Sequence, residues 1–246
     1  MKIIYSQTGS SGNCTVIDDG KTLLMIDCGI KIEKVNKSIA YKLSSIDACL
    51  ITHTHIDHSE YIKKIFERAI PCYMWSKSKE KYPNEHYAKS IEPLKQFKIG
   101  TYIINSFPLA HINADRTDCP NLGYIIFSTV TKEKLCWITD THYIKNNVGV
   151  CDTIGIECNY IDVDSYATEI EHIQVSVEKR RLVSHLSLNG CIMWLKKQDL
   201  SKCKKIYLLH LTREQGEIKE KLIDEVKKSI QAEEKGIEVI AGGNHG

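Results

Sequence analysis

Six consecutive residues, His53-Thr54-His55-Ile56-Asp57-His58, constrain this chain more than any other stretch. They place three imidazoles and one carboxylate directly after the apolar run Ala48-Cys49-Leu50-Ile51. Such a run reads as a buried strand, so the polar cluster falls where the backbone leaves the core. Neutral imidazole and carboxylate are common ligands of zinc, manganese and iron. In an extended segment His53 and His55 project to one side and can grip one ion. Asp57 and His58 come where the chain turns into an expected helix over 60–69, so they point differently and can grip a second. The bland alternative is a polar turn with scattered histidines, and this density of ligands argues against it.

The rest of the chain must fold around that cluster. Its 246 residues, 42% hydrophobic and 26% charged, fit one globular domain over 1–246 with a sizeable core. The net charge of +2 points to no particular partner. The ten cysteines contain no Cys-x-x-Cys pair, and several, such as Cys49 and Cys136, lie in apolar runs. They read as small buried hydrophobes of a reducing compartment. Residues 1–7 lack the apolar core of a signal peptide, and no run approaches membrane-spanning length. The expectation is a cytoplasmic protein with no membrane partner.

In chain order, Ile3–Tyr5 reads as a short strand, followed by the turn Thr8-Gly9-Ser10-Ser11-Gly12-Asn13. Cys14–Ile17 and Thr22–Ile26 read as strands joined by an Asp18-Asp19-Gly20 hairpin turn. Residues 31–46 read as a helix and 47–52 as the strand before the histidines. Ser76–Pro93, charged and broken by Pro83 and Pro93, reads as a surface excursion in which His86 is idle. Strands are expected at Gly100–Phe107, Gly123–Phe127, Leu135–Thr139, Thr153–Ile156, Lys205–Leu211 and Ile237–Ala241. Residues 214–231 place Ile218, Leu222, Val226 and Ile230 on one helical stripe. Three of the strands end at a residue able to bind metal: His111, Asp140 and His210. His142, His172 and His245 read as ordinary loop, helix and tail histidines.

With these residues in place, the chain resembles the metallo-β-lactamase fold superfamily, whose His-x-His-x-Asp-His signature is matched by His53, His55, Asp57 and His58. Gly9-Ser10-Ser11-Gly12-Asn13 and Ile26-Asp27-Cys28-Gly29 are similar to its YycJ/WalJ-like branch. Periodicity alone supports α/β or α+β; the resemblance implies an α+β four-layer αββα sandwich. It also implies two divalent metal ions, zinc or manganese. His53, His55 and His111 would hold one, Asp57, His58 and His210 the other, and Asp140 would bridge them. Asp27 would lie beneath the ligands and accept a histidine N–H, although a turn or helix-capping carboxylate is an equal reading. Glu157-Cys158-Asn159 is similar to the family's Glu-x-Asn segment and is expected to give structural support. Residues 112–122 are longer and more polar than the resemblance suggests, and are expected to reshape one wall of the cleft.

His185-Leu186-Ser187 resembles the histidine motif that phosphodiesterase branches add beside the metals, and a helical pattern follows it to Lys197. Ser176–Lys205 carries eight basic and two acidic residues, +6 against −4 elsewhere. Such a run is either a solvated helix face or a basic rim for phosphates. Two ions ~3.5–4 Å apart sharing a water make hydroxide available near neutral pH. The expectation is a dinuclear-metal phosphodiesterase that hydrolyses nucleic acid in exonuclease fashion through a metal-bridging hydroxide, with Asp57, Asp140 and His185 as catalytic residues. A phosphodiesterase for small cyclic nucleotides is the alternative, because aromatics are 8% of the chain and do not cluster. A thioester or lactone hydrolase of the glyoxalase II type ranks third, since it leaves His185 and the basic run without a role. His55 disfavours the redox di-iron branch, which typically has glutamate there. The expected partner is a nucleic acid or small nucleotide substrate, and a homodimer is compatible with the sequence.

Overall fold

The computed structural model describes residues 1–161, 184–211 and 217–242. One sheet runs β1 (Lys2–Gln7), β2 (Cys14–Asp18), β3 (Leu23–Ile26), β4 (Ala48–Leu50), β5 (Cys72–Trp75), β6 (Ala88–Ile91), neighbours in space following chain order. Its first three strands are antiparallel and the rest parallel. The other sheet contains β7 (Gln96–Ile99), β8 (Tyr102–Leu109), β9 (Asn121–Ser128), β10 (Lys134–Ile138), β11 (Thr153–Glu157), β12 (Lys205–Leu209) and β13 (Glu238–Ala241), again in order. There β7 to β10 are antiparallel and β10 to β13 parallel.

The period-2 alternation of each strand decides what packs where. Leu24 and Ile26 of β3, Ala48 and Leu50 of β4, Leu135 and Trp137 of β10, and Tyr207 and Leu209 of β12 meet between the sheets. Their neighbours Met25 and Cys49 face outward onto α1 (Ile32–Ser38) and α3 (Ile62–Phe66). On the other side Cys136, Ile138, Ile206 and Leu208 face α5 (Leu188–Lys196) and α6 (Glu217–Ile230). Two further single-turn helices are α2 (Ile56–Ser59) and α4 (Ser76–Lys79). Helix, sheet, sheet, helix is the expected four-layer αββα sandwich. Each fully buried aliphatic side chain stabilises it by roughly 1.5–3 kcal/mol.

Three elements differ from expectation. The helix expected over 31–46 stops at Ser38, because Ala40 and Tyr41 adopt left-handed backbone, φ 54° and 62°. The Tyr41 N–H closes that end on the Asn36 carbonyl at 2.7 Å. The helix expected over 60–69 instead begins at Ile56, so Asp57 and His58 lie inside its first turn, before a second segment at Ile62–Phe66. The surface excursion at 76–93 contains α4 and β6, and β7 follows it; edge strands with one neighbour tolerate charge, which blurs their alternation. His86 is exposed, with its ring edge-on to Tyr87. All ten cysteines are free and buried. Among the described residues no helix is long and apolar enough to cross a membrane. His172, His245 and Lys179-Arg180-Arg181 lie outside the described residues.

Parallel strands deliver their carboxyl ends to a common edge. The register aligns Ile138 with Ile156 and Glu157 with Leu209, so Asp140, Glu157 and His210 leave the sheet side by side. Because β8 and β10 both run antiparallel to β9, the end of β8 brings His111 to that same edge. In the facing sheet Ile26 pairs with Leu50, which places Asp27 beside the start of the histidine motif. The two edges are tied across the sandwich: Tyr124 Oη donates to the Ile51 carbonyl at 2.6 Å and Leu122 N–H to the Thr52 carbonyl at 3.0 Å.

Candidate metal centre

Three strand ends turn sharply to aim their side chains inward. Asp27, Asp140 and His210 have φ of 60°, 52° and 51°, a left-handed conformation that costs roughly 1–3 kcal/mol for a non-glycine residue and recurs at functional sites. The His53–His58 backbone is held just as firmly. Asn13 N–H donates to the Asp57 carbonyl at 2.7 Å and Cys28 N–H to the His58 carbonyl at 2.8 Å. Position 29 has no room for a side chain, since a Cβ there would lie 1.7 Å from the Asp57 carbonyl oxygen. The Gly-Ser-Ser-Gly-Asn and Asp-Cys-Gly turns thus clasp the motif from beneath.

Five histidines gather above this clasp, each gripped through its outer ring nitrogen. His58 Nδ1 lies 2.8 Å from Asp27 Oδ2. His53 Nδ1 lies 3.1 Å from Thr52 Oγ1, which itself donates to Asp27. His111 Nδ1 meets the Ser184 carbonyl at 3.1 Å, His55 Nε2 meets Asn113 Oδ1 at 3.1 Å, and His210 Nδ1 lies 3.0 Å from Asn159 Nδ2 and 3.3 Å from Glu157 Oε1. Carbonyl and carboxylate oxygens can only accept, so the outer nitrogens of His55, His58 and His111 carry protons, which leaves their inner nitrogens to face a cation. Asp27 therefore takes the orienting role.

The inner atoms form two groups. His53, His55 and His111 offer ligand atoms within 4.8 Å of one another, and so do Asp57, His58, Asp140 and His210. His55 Nδ1 and His111 Nε2 face each other at 3.1 Å, while His53 Nε2 is buried with no hydrogen-bond partner among the described residues. In the second group His58 Nε2 lies 3.2 Å from Asp140 Oδ1, and His210 Nε2 lies 3.5 Å from both Asp140 Oδ2 and Asp57 Oδ2. Ligand atoms ~2.0 Å from a tetrahedral ion lie ~3.3 Å apart, so these spacings fit a shared cation. In the first group, lone pairs aimed at one another in a dry site otherwise repel. The orphaned nitrogen of His53 and the thiolate-free donor set fit zinc or manganese.

Without a cation the two groups differ in charge. Burial drives His53 well below the usual imidazole range, His55 below it, and His111 down to about 4. Burial also opposes charge on His58 and His210, but the neighbouring Asp140 outweighs it. With Asp27 it raises His58, and with Asp57 and Glu157 it pushes His210 up to about 10. Asp140 is itself held well below the carboxylate range, His210 and His58 overcoming its burial. The field of Asp140 reaches His53, His55 and His111 as well, so one carboxylate acts on both groups.

His185 stands against this cluster. Its ring stacks on His210 at 4.9 Å between centroids, and its Nδ1 lies 2.6 Å from Glu157 Oε1 and 4.0 Å from Asp140 Oδ2. Glu157, His185 and His210 could also meet on one ion. The Glu157 carboxylate, however, already accepts Thr141 N–H at 2.7 Å and Leu186 N–H at 3.3 Å besides the two imidazoles. It is a saturated acceptor that positions His185 and His210. Ser187 caps α5 by accepting Gly190 N–H at 3.1 Å, and Asn159 N–H donates to the Leu186 carbonyl at 2.9 Å. Those bonds dock the His185 segment on the end of β11.

These residues line a cleft of about 550 Å³ with Ser10, Ser11, Thr54, Ile56, Glu60, Ile112 and Ala114. Among the described residues no lysine or arginine lines it; of the basic run, expected as a solvated face or a rim, Lys179-Arg180-Arg181 lie outside the described residues. Lys204 pairs with Glu133 at 3.5 Å and Lys205 with Glu238 at 2.7 Å. Both sit at the start of β12, roughly 16 Å of strand from His210. Lys196 and Lys197 end a helix that starts at the site and runs roughly 13 Å away from it. His142 is exposed and lies outside this cleft. The 112–122 segment does shape the wall, and its Asn113, unremarked in the sequence, holds His55. Thr52 and the Ser184 carbonyl were equally silent: a backbone oxygen leaves no signature in sequence.

An arrangement that aims lone pairs at one another from the strand ends of a four-layer sandwich is that of a metal-dependent hydrolase. The family model of the metallo-β-lactamase superfamily matches residues 8–131, and the chain belongs to that superfamily. Over 231 residues it is 27% identical to exodeoxyribonuclease WalJ of Streptococcus pneumoniae, covering 84% of this chain and 80% of WalJ, which supports the YycJ/WalJ-like branch. Among solved structures, the metallo-β-lactamase fold protein YhfI from Bacillus subtilis superposes with a TM-score of 0.72 at 17% identity, over 98% of this chain and 95% of YhfI. Unliganded yeast PDE1 superposes with a TM-score of 0.68 at 12% identity, over 98% and 96% of the respective chains.

Proposed function

We propose that the chain is a dinuclear-metal phosphodiesterase that hydrolyses nucleic acid in the manner of an exonuclease. His53, His55 and His111 would hold one zinc or manganese ion, Asp57, His58 and His210 the other, and Asp140 would reach both. Bound there, such ions supply an acidified water and neutralise charge on phosphoryl oxygens. The chain's own contribution is rigidity: each histidine ligand is fixed from behind by a protein partner, so little reorganisation accompanies reaction.

The observation that carries the proposal is His185 on Glu157. Among the described residues its hydrogen bond runs through Nδ1, at 2.6 Å, so Nε2 is the nitrogen left for substrate. From that atom a proton can pass to the departing sugar oxygen of a phosphodiester, and the buried Glu157 carboxylate stabilises the imidazolium until it is used. Burial opposes charge on Glu157, yet His185 beside it and the hydrogen bonds from His185 and His210 hold its pKa below the usual range. A thioester or lactone has less need of that donor. The likeness to an exodeoxyribonuclease supports a nucleic-acid substrate.

A small-nucleotide phosphodiesterase is the second reading, favoured by a cleft of only about 550 Å³ without cationic side chains among the described residues. Turnover of a labelled oligonucleotide against cyclic nucleotides, side by side, separates the two. His185→Ala is expected to keep its metal content while losing phosphodiester turnover by on the order of 100-fold or more. Cleavage of single-stranded DNA or RNA at the wild-type rate would remove His185 from the mechanism.

A further inference from the structure

A nucleic acid held at the metal centre carries phosphates and bases beyond the scissile bond, and the metal cleft offers them no cation among the described residues. Next to it lies a second hollow of about 250 Å³, which shares His111 and Ile112 with the cleft and has Trp75, Lys77, Asp118 and His142 on its walls. The Trp75 indole packs partly on the core between the sheets, and the Lys77 ammonium lies 5.0 Å from its ring centroid. Lys81 reaches a wall residue of the metal cleft. Its Nζ donates to Thr54 Oγ1 at 2.6 Å, and Thr54 lines the metal cleft. Lys77 and Lys81 are exposed, and their partners among the described residues are an indole and a hydroxyl, not a carboxylate.

We infer that this hollow is a subsite for a nucleotide unit of the substrate flanking the scissile phosphodiester. An aromatic edge beside ammonium groups is the chemistry that accepts a base and its phosphate without reading sequence. Trp75 supplies the apolar wall, Lys77 and Lys81 the cations for the phosphates on either side, and His142 a ring at the outer lip. Among the described residues Asp118 is the one acidic group on these walls, and it disfavours a bare phosphate. Residues 75–81 thus supply a surface that grips the nucleic acid.

The inference rests on the nucleic-acid reading of the metal site, and binding separates the two. Fluorescence anisotropy of a labelled single-stranded oligothymidylate should report a Kd raised on the order of 10-fold by Lys77→Glu, and further by Lys77→Glu combined with His142→Ala. Lys77→Arg should retain wild-type affinity. These side chains are exposed, so the variants should fold; Trp75→Leu, riskier to the core, adds the apolar wall. Hydrolysis of bis-p-nitrophenyl phosphate, which needs only the metal cleft, should be unchanged in the lysine variants. Oligonucleotide affinity equal to wild type in Lys77→Glu, or no binding by wild type, would overturn the subsite. Binding that depends on Lys77 without any cleavage by wild type would keep the subsite and overturn the nuclease reading instead.

Discussion

Asp19 and Asp140 are buried carboxylates beyond strand ends, on opposite edges of the sandwich, and their surroundings differ in kind. Asp19 accepts hydroxyls from Ser128 and Thr101 at 2.6 Å each and amides from Thr22 and Lys21 at 2.9 and 3.0 Å. Burial raises its pKa, but the Ser128 and Thr101 hydroxyls and these amides bring it below the usual carboxylate range. Donors and acceptors match, and the cluster ties the hairpin at one end of the first sheet to β8 and β9. Asp140 instead faces imidazole nitrogens that are all gripped from outside, beside a His53 nitrogen with no partner among the described residues. A polar network that closes on itself holds a fold together; one whose lone pairs converge is waiting for charge.

That contrast can be broken by experiment. Asp140→Asn should lower metal-dependent phosphodiester turnover by on the order of 1000-fold and reduce bound metal measured by plasma mass spectrometry; full metal content with ordinary turnover would remove Asp140 from the site. Gly29→Ala acts on the clasp, forcing the Asp57 backbone away, and should destabilise the protein by about 3 kcal/mol in urea while weakening metal binding. Unchanged stability there would mean the motif is not seated as described. Asp19→Asn should cost about 2 kcal/mol of stability and leave turnover intact. Because the native pKa of Asp19 lies below its unfolded value, its contribution is present above roughly pH 4 and is lost as pH falls through the native pKa. The gap in unfolding midpoint between wild type and Asp19→Asn should thus close in acid; a gap that widens there would contradict the closed network.

Much of this was legible in the chain itself. The histidine motif stood at a strand end, and apolar runs ending in His111, Asp140 and His210 marked further ends that could converge. Alternation in β3, β4, β10 and β12 fixed which side chains face which layer. What stayed hidden depends on tertiary proximity. Asn113 and the Ser184 carbonyl hold histidines more than fifty residues away in sequence, and Glu157, expected as support, grips two imidazoles. Charge density along a chain also says nothing about which end of a strand it occupies: of the basic run, Lys204 and Lys205 begin the strand that His210 ends. The lysines that do flank the cleft sit in a segment whose short edge strands left little periodic trace.

The central claim is that seven side chains from four strand ends and one helical turn jointly hold two cations. Anomalous diffraction at the zinc edge from zinc-loaded crystals tests it directly. The account expects two peaks ~3.5–4 Å apart, one among His53, His55 and His111, the other among Asp57, His58 and His210, with Asp140 touching both. A peak held by Glu157, His185 and His210, or no peak beside the orphaned nitrogen of His53, would contradict it.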